Sequence, residues 1–358
     1  MSGTESIQAE SGSRQAMLGK SIGIDLGTST VLIYVRGKGI VLREPSVVAM
    51  DKTTGKYLKV GYEAQEMLGR TPKNIVAIRP MKDGVISDFD TTEYMLRYFI
   101  RKVNGHSIFH PDAVICVPSK INEVEERAVR LAAANAGAGS IDLIEEPMAA
   151  ALGAGIDISR PRGVMVVDIG GGTTDVAVIS LNDIVLSDSI KCAGDKFDEA
   201  IIRYVRKAYG IVIGKRTAED IKIRIGCLSP RPSPLTMTVR GRSVSTGLPR
   251  EFIISSENVM SALSDCASAI TEAVHDILSH TPPELISDIS ADGITLTGGG
   301  SLLYGTDKML ASRVGIQVHR DEDAASCVAK GTGTAIDHIE NMSDIKVNSP
   351  KKKLWTQY

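Results

Sequence analysis

Six residues, Asp25-Leu26-Gly27-Thr28-Ser29-Thr30, bring together the groups needed to hold a phosphate. Glycine lets backbone amides close on an anion, the hydroxyls of Thr28, Ser29 and Thr30 donate to its oxygens, and a carboxylate at a strand end holds a metal through water. The same order returns about half a chain later in Asp168-Ile169-Gly170-Gly171-Gly172-Thr173-Thr174-Asp175. Three consecutive glycines give more backbone freedom than a hairpin needs for stability. Neither stretch carries the Gly-Lys-Ser/Thr of a Walker loop. Two such turns facing one another across a cleft would grip a polyphosphate, and Asp25 with Asp168 would suit Mg²⁺, which prefers oxygen ligands and retained water.

A third glycine cluster, Gly298-Gly299-Gly300-Ser301-Leu302, follows the strand Gly-Ile-Thr-Leu and precedes a predicted helix. Such a loop can lie flat beneath a nucleoside. Glu219 and Lys222 sit three apart on another predicted helix, so both would reach one ligand, the acid toward ribose hydroxyls and the amine over adenine. Read without the glycine loops, they are better explained as a solvated i,i+3 salt pair.

The elements that must position these groups follow from the pattern. SIGID and VLIYV flank the first turn as a hairpin, and VMVVD and DVAVISL flank the second, which predicts a duplicated lobe. Asn122 caps a helix ending at Gly137, with Val124, Ala128, Leu131, Ala132 and Asn135 expected inward. KFDEAIIRYVRKAYG predicts a second helix, with Phe197, Ile201, Tyr204, Val205 and Ala208 inward. A third runs from about Glu257 to Ser279, stopped by Pro282 and Pro283. The stretches Gly39 to Arg79 and Leu228 to Arg250 look inserted, as two small subdomains flanking the cleft.

The composition bounds the rest. In 358 residues, 43 acidic side chains nearly balance 41 basic ones, so no general attraction to nucleic acid is expected. Hydrophobic residues at 43% suffice for an ordinary globular core. No apolar run is long enough to span a bilayer, residues 1–17 do not resemble a secretory signal, and a place inside the cell is expected. The five cysteines are spaced as free thiols rather than as a zinc site.

In this order, DLGT, EPSVVA, IRPMKDGVI, IEEPMAAALGAG, VVDIGGGTTDVAVIS, AGDKFDEAI, TAEDIK, TPPEL and LTGGGSLL resemble the bacterial actins MreB and Mbl. The resemblance covers roughly Leu18 to Asn341. It implies an α/β, actin-like (ribonuclease H-like) two-lobed fold, each lobe a mixed sheet with helices and a smaller inserted subdomain. The expected divisions are a flexible tail at 1–17, a first lobe at 18–155 with a subdomain near 39–79, and a second lobe at 156–320 with a subdomain near 191–254. Residues 321–345 would return to the first lobe, and 346–358 would form a basic tail.

The resemblance also implies an ATP-dependent polymer that guides cell-wall growth and rod shape at the cytoplasmic face of the inner membrane. ATP and Mg²⁺ would lie between the lobes, held by Gly27 to Thr30 and Gly170 to Thr174, with Glu219, Lys222 and Gly298 to Leu302 around the nucleoside. Glu146 would position or activate the attacking water, helped by Thr173. Expected partners are further copies of the chain in double protofilaments, cell-wall synthases and membrane linkers. Ile108 and Phe109 form an apolar loop tip that could meet the membrane, and KKKLWTQY at the C-terminus could add attraction to anionic lipid. The chain departs from the usual pattern at Ser29, Thr30 and Val31, where an Ala-Asn-Thr is common, and at Lys215, where Glu is common. A small-molecule kinase, a nucleotide-gated chaperone and a non-hydrolysing nucleotide switch remain rival readings, because the phosphate clamp is shared across a superfamily.

Overall fold

The computed structural model describes residues 20–105 and 107–340, with the backbone alone for 338–340. The tail at 1–17 and the basic tail at 346–358 lie outside the described residues.

Strands with consecutive buried residues, such as Ile22, Gly23 and Ile24, build the first large sheet. β1 (Ser21–Leu26) and β2 (Thr30–Val35) pair antiparallel with Asp25 opposite Leu32. β3 (Gly39–Pro45) extends the hairpin on β2. Three short strands, β4 (Val48–Asp51), β5 (Tyr57–Val60) and β6 (Ile75–Ile78), make a separate sheet with the helix Tyr62–Met67. β3 therefore belongs to the large sheet, and the inserted piece starts at β4. β7 (Met81–Lys82) and β8 (Val85–Ile86) form a small hairpin, and β9 (Asp112–Val117) and β10 (Ile141–Glu145) complete the large sheet in parallel with β1.

The second half repeats this construction. β11 (Val164–Ile169), β12 (Thr174–Ser180) and β13 (Asp183–Ile190) form the antiparallel part. β14 (Ile211–Val212), β15 (Thr236–Ser243) and β16 (Pro249–Ser255) make a small separate sheet. β17 (Ile294–Thr297) and β18 (Val318–Arg320) then return in parallel. The orders β3-β2-β1-β9-β10 and β13-β12-β11-β17-β18 are the same topology twice. Duplication of an actin-like α/β lobe is thus visible in the strand order itself.

Between the two large sheets lie the helices Glu146–Gly153 and Cys327–Glu340. Their shared core joins Val114 and Ile144 of the first sheet to Val166 and Ala177 of the second through Met148 and Val328. The helices cross at contact distance: a Cβ on Gly331 would fall 1.7 Å from the Ala149 carbonyl oxygen. Burial on both faces explains why β11 and β12 read as nearly continuous apolar runs.

Three helices test the periodicity. The helix Glu123–Ala136 begins with a reciprocal capping box, Asn122 Oδ1 accepting from Glu125 N at 2.9 Å and Glu125 Oε2 accepting from Asn122 N at 3.0 Å. Its buried residues are Val129, Ala132, Ala133 and Ala136, whereas Val124 and Leu131, expected inward, are 78% and 46% exposed. Small alanines let the helix approach the sheet closely, and the bulkier apolar side chains face out. In the helix Gly194–Tyr209, Phe197, Ile201 and Val205 are buried as expected, but Ala208 is exposed. The expected single helix after Glu257 is two, Ser256–Ala262 and Ser264–His280. They part at buried Leu263, whose N–H is shared between the Val259 and Met260 carbonyls.

Candidate functional site

The two glycine turns end their hairpins at one cleft. Asp25 is the penultimate residue of its strand, beside Gly27, Thr28, Ser29 and Thr30, and Asp168 holds the same place in the equivalent strand, beside Gly170, Gly171, Gly172 and Thr173. All of these line a cleft of about 810 Å³, together with Glu146, Glu219, Lys222, Gly298, Gly299, Gly300 and Leu302. The turns nearly touch: a Cβ on Gly171 would lie 2.5 Å from Ser29 Oγ. Gly84, from the β7–β8 hairpin, donates its N–H to Thr28 Oγ1 at 3.0 Å and ties the first turn in place.

Two residues expected at the ligand do not line the cleft. Thr174 is fully buried and spends its hydroxyl on the Cys192 carbonyl at 2.7 Å. Ser301 is also fully buried, its hydroxyl donating to the Gly298 carbonyl at 2.6 Å. Both hold loop shape. Lys222 reaches the cleft but is already engaged, donating to the Gly194 carbonyl at 2.9 Å and pairing with Asp198 at 2.9 Å.

Four carboxyl groups meet behind the turns. Register places Asp168 opposite Asp175 on β12, and Thr297 Oγ1 donates to Asp168 Oδ1 at 2.6 Å. Burial drives Asp168 up to about 7, against the Thr297 hydrogen bond. Burial likewise raises Asp25 to about 6, opposed by the Cys116 thiol and by Arg43. Asp175 rises to about 6 through burial, although Ser119 N–H donates to it at 2.9 Å. Glu146 is pushed well above the usual carboxylate range by burial, then by the charges of Asp175, Asp168 and Asp25. Crowded buried carboxylates of this kind favour an added cation.

The donor set fits Mg²⁺ on those grounds: it is all oxygen and short of positive charge. Among the described residues no three His, Cys, Asp or Glu side chains could hold one ion together. At most two carboxylates would therefore hold the ion, the remaining positions falling to water and phosphate, which is how Mg²⁺ is commonly bound.

Several cleft residues carry no strong signal in the sequence. Arg43 projects from β3 and donates to Ser326 Oγ. Arg320 donates to the Ser301 carbonyl at 3.4 Å. At the glycine-cluster end, Tyr304 has the Arg231 guanidinium 4.2 Å and the Lys308 ammonium 5.6 Å from its ring centre. Tyr304, four positions beyond Gly300, could have been found from the loop; Arg43 and Arg231 arrive only through topology. Asp175 was visible as the acid closing the second glycine motif.

The MreB/Mbl protein family profile matches residues 19–344. A cell shape-determining protein Mbl from Bacillus cereus (strain ATCC 10987 / NRS 248) is 52% identical over 327 residues, covering 91% of this chain and 98% of that protein. A cell shape-determining protein MreB from Escherichia coli (strain K12) is 51% identical over 332 residues, covering 91% of this chain and 96% of that protein. The crystal structure of MreB5 of Spiroplasma citri bound to ADP superposes with a TM-score of 0.87 at 39% identity, covering 90% of this chain and 98% of that one. The same protein bound to AMPPNP gives a TM-score of 0.86 at 40% identity, covering 90% and 99%.

Proposed function

The chain belongs to the MreB/Mbl family, and from that premise we propose that it is an ATP-dependent, filament-forming bacterial actin that hydrolyses ATP between its lobes and organises cell-wall synthesis and rod shape at the inner membrane face. The observation that carries this reading is the meeting of two equivalent hydroxyl-and-glycine turns over one cleft backed by buried carboxylates. Such a site suits a triphosphate and its counter-ion. The S. citri structures, bound to ADP and AMPPNP, support a nucleotide there.

In this reading Gly27 to Thr30 and Gly170 to Thr173 bind the phosphates through amides and hydroxyls. Asp25 and Asp168 would hold Mg²⁺, which when bound supplies the positive charge these carboxylates lack. Glu146 positions the attacking water or accepts its proton, and Thr173, beside Asp175, helps fix that geometry. Glu219 faces the ribose, while Gly298, Gly299, Gly300, Leu302 and Tyr304 surround the base. Thr174 and Ser301 support the two loops from behind.

Filament contacts and membrane contact belong to the same proposal. Ile108 and Phe109 are 86% and 50% exposed, on a loop whose Phe109 carbonyl is held by Asn104 Nδ2 at 2.9 Å. They would bring protofilaments to the lipid, since no helix of the described residues is long and apolar enough to cross a membrane. Sedimentation and negative-stain electron microscopy with ATP and Mg²⁺ test the reading. ATP-promoted pelleting with visible filaments supports it; folded protein that gives neither overturns it.

A further inference from the structure

Arg79 follows β6 in the first lobe and reaches across to the second. Its Nη1 lies 2.8 Å from Asp195 Oδ1 and its Nη2 lies 3.7 Å from Glu219 Oε2. The three side chains are 19%, 25% and 28% exposed, so water screens the contact only in part. Asp195 stands in the first turn of the helix Gly194–Tyr209 and Glu219 in the helix Lys215–Ile225. One guanidinium thus spans two helices.

Both ends of this bridge are fixed. On the first-lobe side, the next residue is Pro80, whose carbonyl accepts from Ser87 N–H at 2.9 Å and Asp88 N–H at 3.1 Å. On the second-lobe side, Asp195 N–H donates to the Gly171 carbonyl of the phosphate turn at 2.8 Å. Arg79 does not line the cleft, whereas Glu219 does. Any effect of Arg79 on a nucleotide therefore passes through Glu219 or through the distance between the lobes.

We propose that Arg79 is a positioning residue that sets ribose selectivity, orienting the Glu219 carboxylate toward the sugar hydroxyls when the lobes are together. The inference rests on the reading that ATP binds with its ribose at Glu219. The guanidinium is anchored by its hydrogen bond to Asp195 and at 3.7 Å draws the Glu219 carboxylate by charge, a two-ended reach that a lysine ammonium matches less well. Without it, Glu219 keeps its charge but loses its aim. A second ion pair between the lobes, Lys120 Nζ to Asp188 Oδ1 at 2.7 Å, provides the control, since it ties the lobes without touching Glu219.

Calorimetric affinities for ATP, 2′-deoxy-ATP and 3′-deoxy-ATP, with Mg²⁺, in wild type, Arg79→Ala, Arg79→Lys and Lys120→Ala decide the matter. A hydrogen bond to a charged carboxylate is worth about tenfold or more in affinity, so wild type should bind at least one deoxy analogue about tenfold more weakly than ATP. Arg79→Ala should bring that ratio to within about threefold, Arg79→Lys should restore part of it, and Lys120→Ala should leave it alone. A ratio unchanged in Arg79→Ala, or an equal loss for all three nucleotides, overturns the proposal. So does a wild type that binds ATP without preferring either hydroxyl. Folded wild type that binds no ATP at all removes the underlying reading as well.

Discussion

Gly172 and Thr28, from opposite lobes, stand so close that a methyl group on Gly172 would lie 2.4 Å from the Thr28 hydroxyl oxygen. The same methyl would lie 2.8 Å from the Gly84 backbone nitrogen, which cannot swing aside like a flexible side chain. Gly172→Ala should therefore force the turns apart. Overpacking of this kind costs about 1–3 kcal/mol, and relieved by parting the turns it should lower ATP affinity by about 5- to 150-fold while the protein stays folded. Fluorescence titration with an ATP analogue checks this, and wild-type affinity in the variant would contradict it.

Glu146 is the cleft carboxylate assigned to the attacking water. Glu146→Ala and Glu146→Gln should each slow single-turnover hydrolysis by about 10²–10⁴-fold, the usual contribution of a positioned acid or base. Binding of ATP should survive, because in the proposed function the phosphates belong to the turns and not to Glu146. Quenched-flow measurement with labelled ATP reads the two effects separately.

The buried carboxyls make the nucleotide-free protein pH-dependent in an unusual direction. Asp168 at about 7 and Asp25 and Asp175 at about 6 lie above their unfolded values, so between about pH 4 and 7 the folded state binds more protons than the unfolded chain. Stability then falls as pH rises through that window, by up to about 1.4 kcal/mol per pH unit for each group. Thermal melts without nucleotide should be higher at about pH 6 than at about pH 8, and Asp168→Asn should flatten the difference. A melting point that rises with pH across this range would refute the assignment.

Asn122 satisfies two orphan amides at the start of the helix Glu123–Ala136. Asn122→Ala should cost about 1 kcal/mol. Urea denaturation should show a lower midpoint with an unchanged slope.

Much of this architecture was legible in the sequence because its most informative residues are local. Asp25 with Gly27 and Asp168 with Gly170 to Gly172 each sit within one hairpin, so apolar strand runs and turn chemistry identify both, and their repetition announces two lobes. Helix faces were less legible. Val124 and Leu131 looked like a core stripe, but the sheet accepts the alanine face, a choice made by packing distance rather than by apolar character. The hydroxyls of Thr174 and Ser301 were indistinguishable in sequence from those of Thr173 and Ser29, and only the carbonyls of Cys192 and Gly298 decide where they point. Arg43, Arg79 and Arg231 act across long sequence separations, and no local pattern marks such contacts.

The central claim is that both turns close on one magnesium-bound nucleotide. Isothermal titration of ATP into folded protein, with and without Mg²⁺, tests it most directly. The account predicts saturable heat at one site per chain, stronger with the metal present and much reduced in Gly172→Ala. An absence of binding heat from well-folded protein with Mg²⁺ present, across temperatures chosen to exclude a zero enthalpy, would contradict it.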